Sequence, residues 1–157
     1  MNLTNTNNLA DSVRALGGTA NASLSTARTG EYFDVRELGA NVLTALVTAA
    51  AQVSGSTVTP TLVQATSSGG AGVKNLKVGT AVTVADDGAS PPGSHSISAQ
   101  VSANVSEIDL AGGFYFVAAK GISSTNVAGS VTLLASSQRG DVVGDGVAVG
   151  QDNVPVT

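Results

Sequence analysis

The run Ser96-Ile97-Ser98-Ala99-Gln100-Val101-Ser102-Ala103-Asn104-Val105 decides the fold. Ile97, Ala99, Val101, Ala103 and Val105 fall on one side, with Ser, Gln and Asn on the other. Successive side chains of a strand point to opposite faces, so this period of two predicts a half-buried β-strand. A helix would instead repeat its apolar residues every three or four positions. Downstream, Phe114 to Ala119 is the most apolar strand segment, reached through Gly112-Gly113, and Val127 to Leu134 closes the regular region.

Upstream the same chemistry recurs. Ala20, Ala22, Leu24 and Thr26 alternate with Asn21, Ser23 and Ser25. Tyr32 to Arg36 reads as a short extended segment after a Thr29-Gly30 turn. Asn41 to Thr48 is a more continuous apolar run; Ala49-Ala50-Ala51 favours helix locally, but the preceding Val and Thr favour a strand. Thr57 to Gln64 contains Pro60, which cannot donate to a ladder, so that strand is expected to start after it or to lie at an edge. Leu76, Val78, Val82 and Val84 form a strand pair or one long irregular strand. Asp86-Asp87-Gly88 and Pro91-Pro92-Gly93 are turn signals. About seven or eight short strands with no long helix predict an all-β chain, an antiparallel β-sandwich of jelly-roll type. The domain divides as an N-terminal arm over 1–19, a β-sandwich over 20–136, and an extended C-terminal tail or edge strand over 137–157.

Composition narrows the function. The chain has 157 residues, room for one domain of about 150 residues with short tails. Seven Lys and Arg against eleven Asp and Glu give a net charge of −4, and the basic residues are scattered, which argues against nucleic acid as a partner. There is no Cys, hence no disulfide framework or thiol nucleophile, and a single His removes most zinc designs and proton relays. No run of about 20 apolar residues is present, so no membrane partner is expected. The opening Met1-Asn2-Leu3-Thr4-Asn5 lacks the basic start and apolar core of a secretory leader, so a protein made in the cytoplasm is expected. Val and Ala supply most of the apolar content, so the core is thin, and subunit contacts are expected to add burial.

The segments with a flavour of chemistry read better as structure. Ser68-Gly69-Gly70-Ala71-Gly72-Val73-Lys74 superficially matches a phosphate-binding loop, but Val73 precedes the lysine, Asn75 follows it, and a strand comes next. Gly140-Asp141-Val142-Val143-Gly144-Asp145-Gly146 suggests at most a weak cation site around Asp141 and Asp145, without the spaced ligands of a calcium loop. His95 follows a Pro-Pro-Gly turn near Asp86 and Asp87, but no nucleophile elbow accompanies it. Glu107 and Asp109 share a side of an extended segment, the usual pattern of a solvated face. No enzyme, catalytic residue, cofactor or metal is expected.

The amino-terminal arm admits two readings. Leu9, Val13 and Leu16 are spaced for one short helical face capped by Asn7 or Asn8 and ended by Gly17-Gly18; a flexible arm fits the same residues.

Asn7-Asn8-Leu9-Ala10-Asp11-Ser12-Val13-Arg14-Ala15, then Asp34-Val35-Arg36-Glu37-Leu38-Gly39, then Val53 to Leu62 resemble small structural proteins of tailed-bacteriophage heads. Phe114 to Ala119 followed by Val131-Thr132-Leu133-Leu134 looks like their closing strand pair. The resemblance implies a capsid decoration, or cement, protein of the virion surface, a homo-oligomer, commonly a trimer, that clamps neighbouring copies of the major capsid protein. Leu3, Leu9, Val13 and Arg14 are then the partner-binding residues, acting by strand addition or by wedging into a groove. Copies arrayed on a lattice gain avidity, so each contact can be weak. The alternative is a glycan- or receptor-binding module of a phage tail or spike, which needs exposed aromatic platforms from Tyr32, Tyr115 and the three Phe.

Overall fold

A computed structural model describes residues 13–21, 23–85, 88 and 95–136. These form two antiparallel sheets packed face to face. Sheet A carries four strands in the order β1 (Val13–Asn21), β10 (Gly129–Ser136), β4 (Val42–Gln52) and β8 (His95–Asn104). Sheet B runs β2 (Arg28–Thr29), β9 (Phe116–Ser123), β5 (Thr57–Ala65) and β6 (Lys74–Val78), with β3 (Phe33–Asp34) also on β9 and β7 (Val82–Thr83) also on β5. The all-β expectation therefore holds, and the strand expected from Ser96 to Val105 is present to Asn104, with Val105 opening a 3-10 turn.

Alternation builds the core. Leu43, Ala45, Val47 and Ala49 of β4 point inward beside Ile97, Ala99, Val101 and Ala103 of β8 and Val131, Leu133 and Ala135 of β10; all are buried. Val58 and Leu62 of β5 meet them with Val117 and Ala119 of β9. The small side chains let the layers approach closely. A Cβ on Gly121 of β9 would lie 2.7 Å from Val47 Cγ1, so glycine there sets the spacing between the sheets.

Several local expectations are corrected. Val13 to Thr19 was expected in the arm, with Val13 and Leu16 on a helical face; it is instead most of edge strand β1, paired with β10 from Val13↔Ser136 to Asn21↔Gly129. The register shifts between Ala15 and Gly17, and the extra residue, Leu16, packs on the core. Tertiary pairing with β10 overrides the weak helical spacing. The strand expected from Ala20 to Thr26 ends at Asn21; Leu24 is fully buried in a connection, its N–H donating to Val127 O and its carbonyl accepting from Ser123 N.

Tyr32 to Arg36 is extended only at β3. The Asp34 carboxylate then accepts from Arg36 N and starts a one-turn helix, α1 (Val35–Leu38), which Gly39 ends with φ 60°. Pro60, expected at a strand start or an edge, sits mid-strand in β5, with β9 on one side. Its carbonyl accepts from Gly79 N on the other side, in the gap between β7, which pairs Thr57 and Val58, and β6, which begins its pairing at Thr61. The imide nitrogen faces that same gap, so no ladder bond is lost. A Cβ on Gly79 would lie 2.8 Å from Pro60 Cγ, which explains the glycine beside it.

Candidate assembly surfaces

The expected docking residues divide. Leu3 and Leu9 lie outside the described residues, as do Asp86, Asp87, the Pro-Pro-Gly turn, Asp141 and Asp145. Val13 and Arg14 open β1 at the rim of sheet A, and Arg14 is exposed. The rim, not a helix, is what the chain offers there.

The outward face of sheet A is unlike the rest of the surface. Its register positions are Ala15, Gly18 and Ala20 on β1, Ser130, Thr132, Leu134 and Ser136 on β10, alternate residues from Val42 to Ala50 on β4, and Ser96 to Asn104 on β8. None carries a charge. Neighbouring hydroxyls satisfy one another: Thr44 Oγ1 and Ser102 Oγ are 2.7 Å apart, as are Thr48 Oγ1 and Ser130 Oγ. Hydroxyls paired in this way lose less on being covered than hydroxyls that rely on bound water alone.

Charge and aromatic surface concentrate instead at one end of sheet B. The chain's two Tyr and three Phe are Tyr32, Phe33, Phe114, Tyr115 and Phe116, brought together by Phe33↔Val117, Asp34↔Phe116 and the Val35 N–H donating to Tyr115 O. All five are half-buried. Arg36 binds Asp34 with two nitrogens and lies 4.4 Å from the Tyr115 ring centroid. Lys74 Nζ lies 2.7 Å from Asp109 Oδ2 and 3.9 Å from the Phe114 centroid. Asp109 also accepts from Gly112 N at 2.8 Å, while its own N–H donates to the buried Gln64 Oε1 at 3.0 Å. The Arg36 hydrogen bond holds the Asp34 carboxyl below its usual range, and the Lys74 hydrogen bond does the same for Asp109. Burial raises the Tyr32 phenol.

These contacts reassign the residues weighed for chemistry. Lys74 serves Asp109 and Phe114 rather than a phosphate, and the glycine loop before it packs Gly70 against the Tyr32 ring. Glu107, expected on an extended segment with Asp109, lies in a 3-10 turn (Val105–Glu107), where Oε1 accepts from Asn104 N at 2.8 Å. His95 opens β8 opposite Gln52. Gln52 is fully buried; its Oε1 accepts from Ser123 Oγ and Thr125 Oγ1, while its Nε2 and the buried Ser56 Oγ have no partner. Among the described residues no group of three or more His, Asp or Glu is placed to hold a metal, and no helix is long and apolar enough to cross a membrane.

The sequence did carry a signal for the charge-free face. No Asp, Glu, Lys or Arg occurs in Leu38–Val73, Gly88–Ser106 or Gly121–Gln138, and those runs contain β4, β8 and β10. The gathering of aromatics had no such signal, because Tyr32-Phe33 and Phe114-Tyr115-Phe116 meet only through the β3–β9 pairing. No family model, curated protein or solved structure matches the chain.

Proposed function

We propose that this chain is a structural protein of the phage virion that docks on the outer surface of the capsid and clamps neighbouring copies of the major capsid protein. The observation that carries this reading is the uncharged outward face of sheet A with its paired hydroxyls. Depletion of charge is the compositional mark of an interface core. Edge strand β1, which begins at Val13 and Arg14, borders that face and supports the reading of those two as contact residues; Leu3 and Leu9 are proposed as further contacts in the segment that precedes it.

Connectivity supports the jelly-roll reading. With β2 and β3 counted as one interrupted strand, and β6 and β7 as another, the two sheets follow the strand order of a double Greek key, an architecture shared by viral capsid and lectin domains. Fold alone does not choose between those functions. The aromatic end favours the glycan-binding alternative, but Arg36 covers one face of Tyr115 and Lys74 one face of Phe114, so two of its platforms are occupied from within.

The test is to incubate the full chain with empty tailed-phage shells. The reading expects saturable, stoichiometric binding and a higher shell melting temperature, both weakened by Thr132→Lys in the middle of the sheet A face. Removing residues 1–12, which spares β1, is expected to lower affinity further. Binding unchanged by Thr132→Lys, or retention on a glycan array that Tyr32→Ala abolishes, overturns it.

A further inference from the structure

We propose that the edge of β8, which pairs with no other described strand over Ile97 to Asn104, pairs antiparallel with the β8 edge of a second copy of this chain, an interface beyond the capsid contact. An edge strand presents a row of unpaired N–H and C=O groups, and natural sheets blunt it with charge, proline, bulges or brevity. The other edges among the described strands are blunted. Strand β1 carries Arg14 and the shift at Ala15/Gly17; β6 carries Lys74 and Lys77 and a shift opposite Leu62/Val63; β2, β3 and β7 are two residues each. Strand β8 lacks these protections from Ile97 onward; the one shift in its ladder with β4 lies at the His95 end, between Ala49 and Gln52. It runs ten residues without Asp, Glu, Lys, Arg or Pro, and holds unbroken register with β4 from Ile97 to Asn104.

The occupant follows from the strand's self-complementarity. A two-fold axis through Gln100 sets Ser98 opposite Ser102, Ile97 opposite Ala103 and Ala99 opposite Val101. Each larger inward residue then meets an alanine, polar meets polar on the outward side, and no like charges are opposed. The pair continues sheet A and its uncharged outward face from one copy into the next. Beneath it, the lysines of β6 oppose an equivalent junction in sheet B, so only one layer becomes continuous.

Sedimentation of the full chain over a range of concentrations tests this. The expected result is a reversible shift from one-chain to two-chain mass, with the protection of amides from Ser98 to Ser102 against hydrogen exchange rising in step. Gln100→Lys places like charges on the axis and is expected to weaken association at least about tenfold. Ser98→Lys serves the same purpose if the first variant melts early. Thr132→Lys, away from the edge, is expected to leave the dimer intact. A single-chain mass at every concentration, a three-chain particle, or a dimer indifferent to both edge lysines overturns the proposal. A dimer that ignores phage shells upholds this pairing while removing the capsid reading.

Discussion

Sheet A and sheet B enclose one core but are held together differently. In sheet A, β4 keeps register with β10 over Val42 to Ala49 and with β8 over the same residues. In sheet B, β9 exchanges β2 for β3 along one side, and β5 exchanges β7 for β6 along the other. Both described ion pairs and both cation–ring contacts belong to the sheet B side. The regular layer is fixed by backbone ladders and small side chains, which leaves its outward face free of charged groups. The irregular layer has short ladders, and polar side chains fasten its loops and turns.

If that contrast is right, a backbone clash in the regular layer has nowhere to dissipate. A Cβ on Gly129 of β10 would lie 2.2 Å from Thr48 O, a ladder carbonyl, and 2.3 Å from Leu24 Cδ1. Gly129→Ala is expected to cost about 3 kcal/mol, the upper end for overpacking, measured as a lower urea midpoint at unchanged slope. On the sheet B side, Gly69 has no neighbour closer than Ser67 Oγ at 3.8 Å, so Gly69→Ala is expected to leave the midpoint in place.

Polar fastening makes the converse prediction for sheet B. The Gln64 side chain is buried in β5, and its Oε1 receives the Asp109 N–H that anchors the turn leading to Phe114. Gln64→Ala is expected to cost about 2 kcal/mol by leaving that N–H unpaired. Hydrogen exchange should quicken at Asp109 and Gly112 but not in β4 or β10. Loss spread evenly over both sheets would erase the contrast.

The two layers also differ in how far the sequence discloses them. Strand β8 follows from a period of two, because one of its faces is buried and the other is not; β4, with Val42 and Leu46 on the outward face, reads only as a continuous apolar run. Sheet B escapes that rule. Val63, Ala65 and Ala118 are buried on the face away from the sandwich core, so β5 and β9 show no alternation. Pro60 sits mid-strand because a gap between two other strands receives it, a fact of tertiary placement. Strand β1 hides behind a bulge that moves Leu16 and Gly17 out of simple alternation. Of the proposed contact residues, Arg14 is legible as an exposed cation, but its position at a sheet rim depends on pairing with β10, over 100 residues away in the chain.

A smaller effect, opposite in sign, comes from the junction between the layers. Ser56 is buried just before β5, with no partner for its hydroxyl. Its backbone is already engaged: the N–H donates to Val53 O and the carbonyl accepts from Val84 N. Ser56→Ala removes only the unpaired group and is expected to raise stability by about 1 kcal/mol.

The smallest effect is the pH and salt response of sheet B's ion pairs. Asp34 and Asp109 both titrate below 3.8 in the folded chain, because Arg36 and Lys74 hydrogen-bond their ionised forms. The unfolded chain therefore takes up these protons first as pH falls. The pairs contribute fully above about pH 5, and the contribution is lost as pH drops through the folded values. Both pairs are solvent-accessible, so the effect is small and shrinks with added salt. Thermal melts from pH 6 to pH 3 should show an acid-side decline that the double variant Asp34→Asn, Asp109→Asn flattens, together with faster exchange at Gly112. Strands β4, β8 and β10 carry no Asp or Glu, so their local exchange is expected to follow only the global decline; an acid response that begins in β4 or β10 would mean that the charged layer is not where the fold first yields.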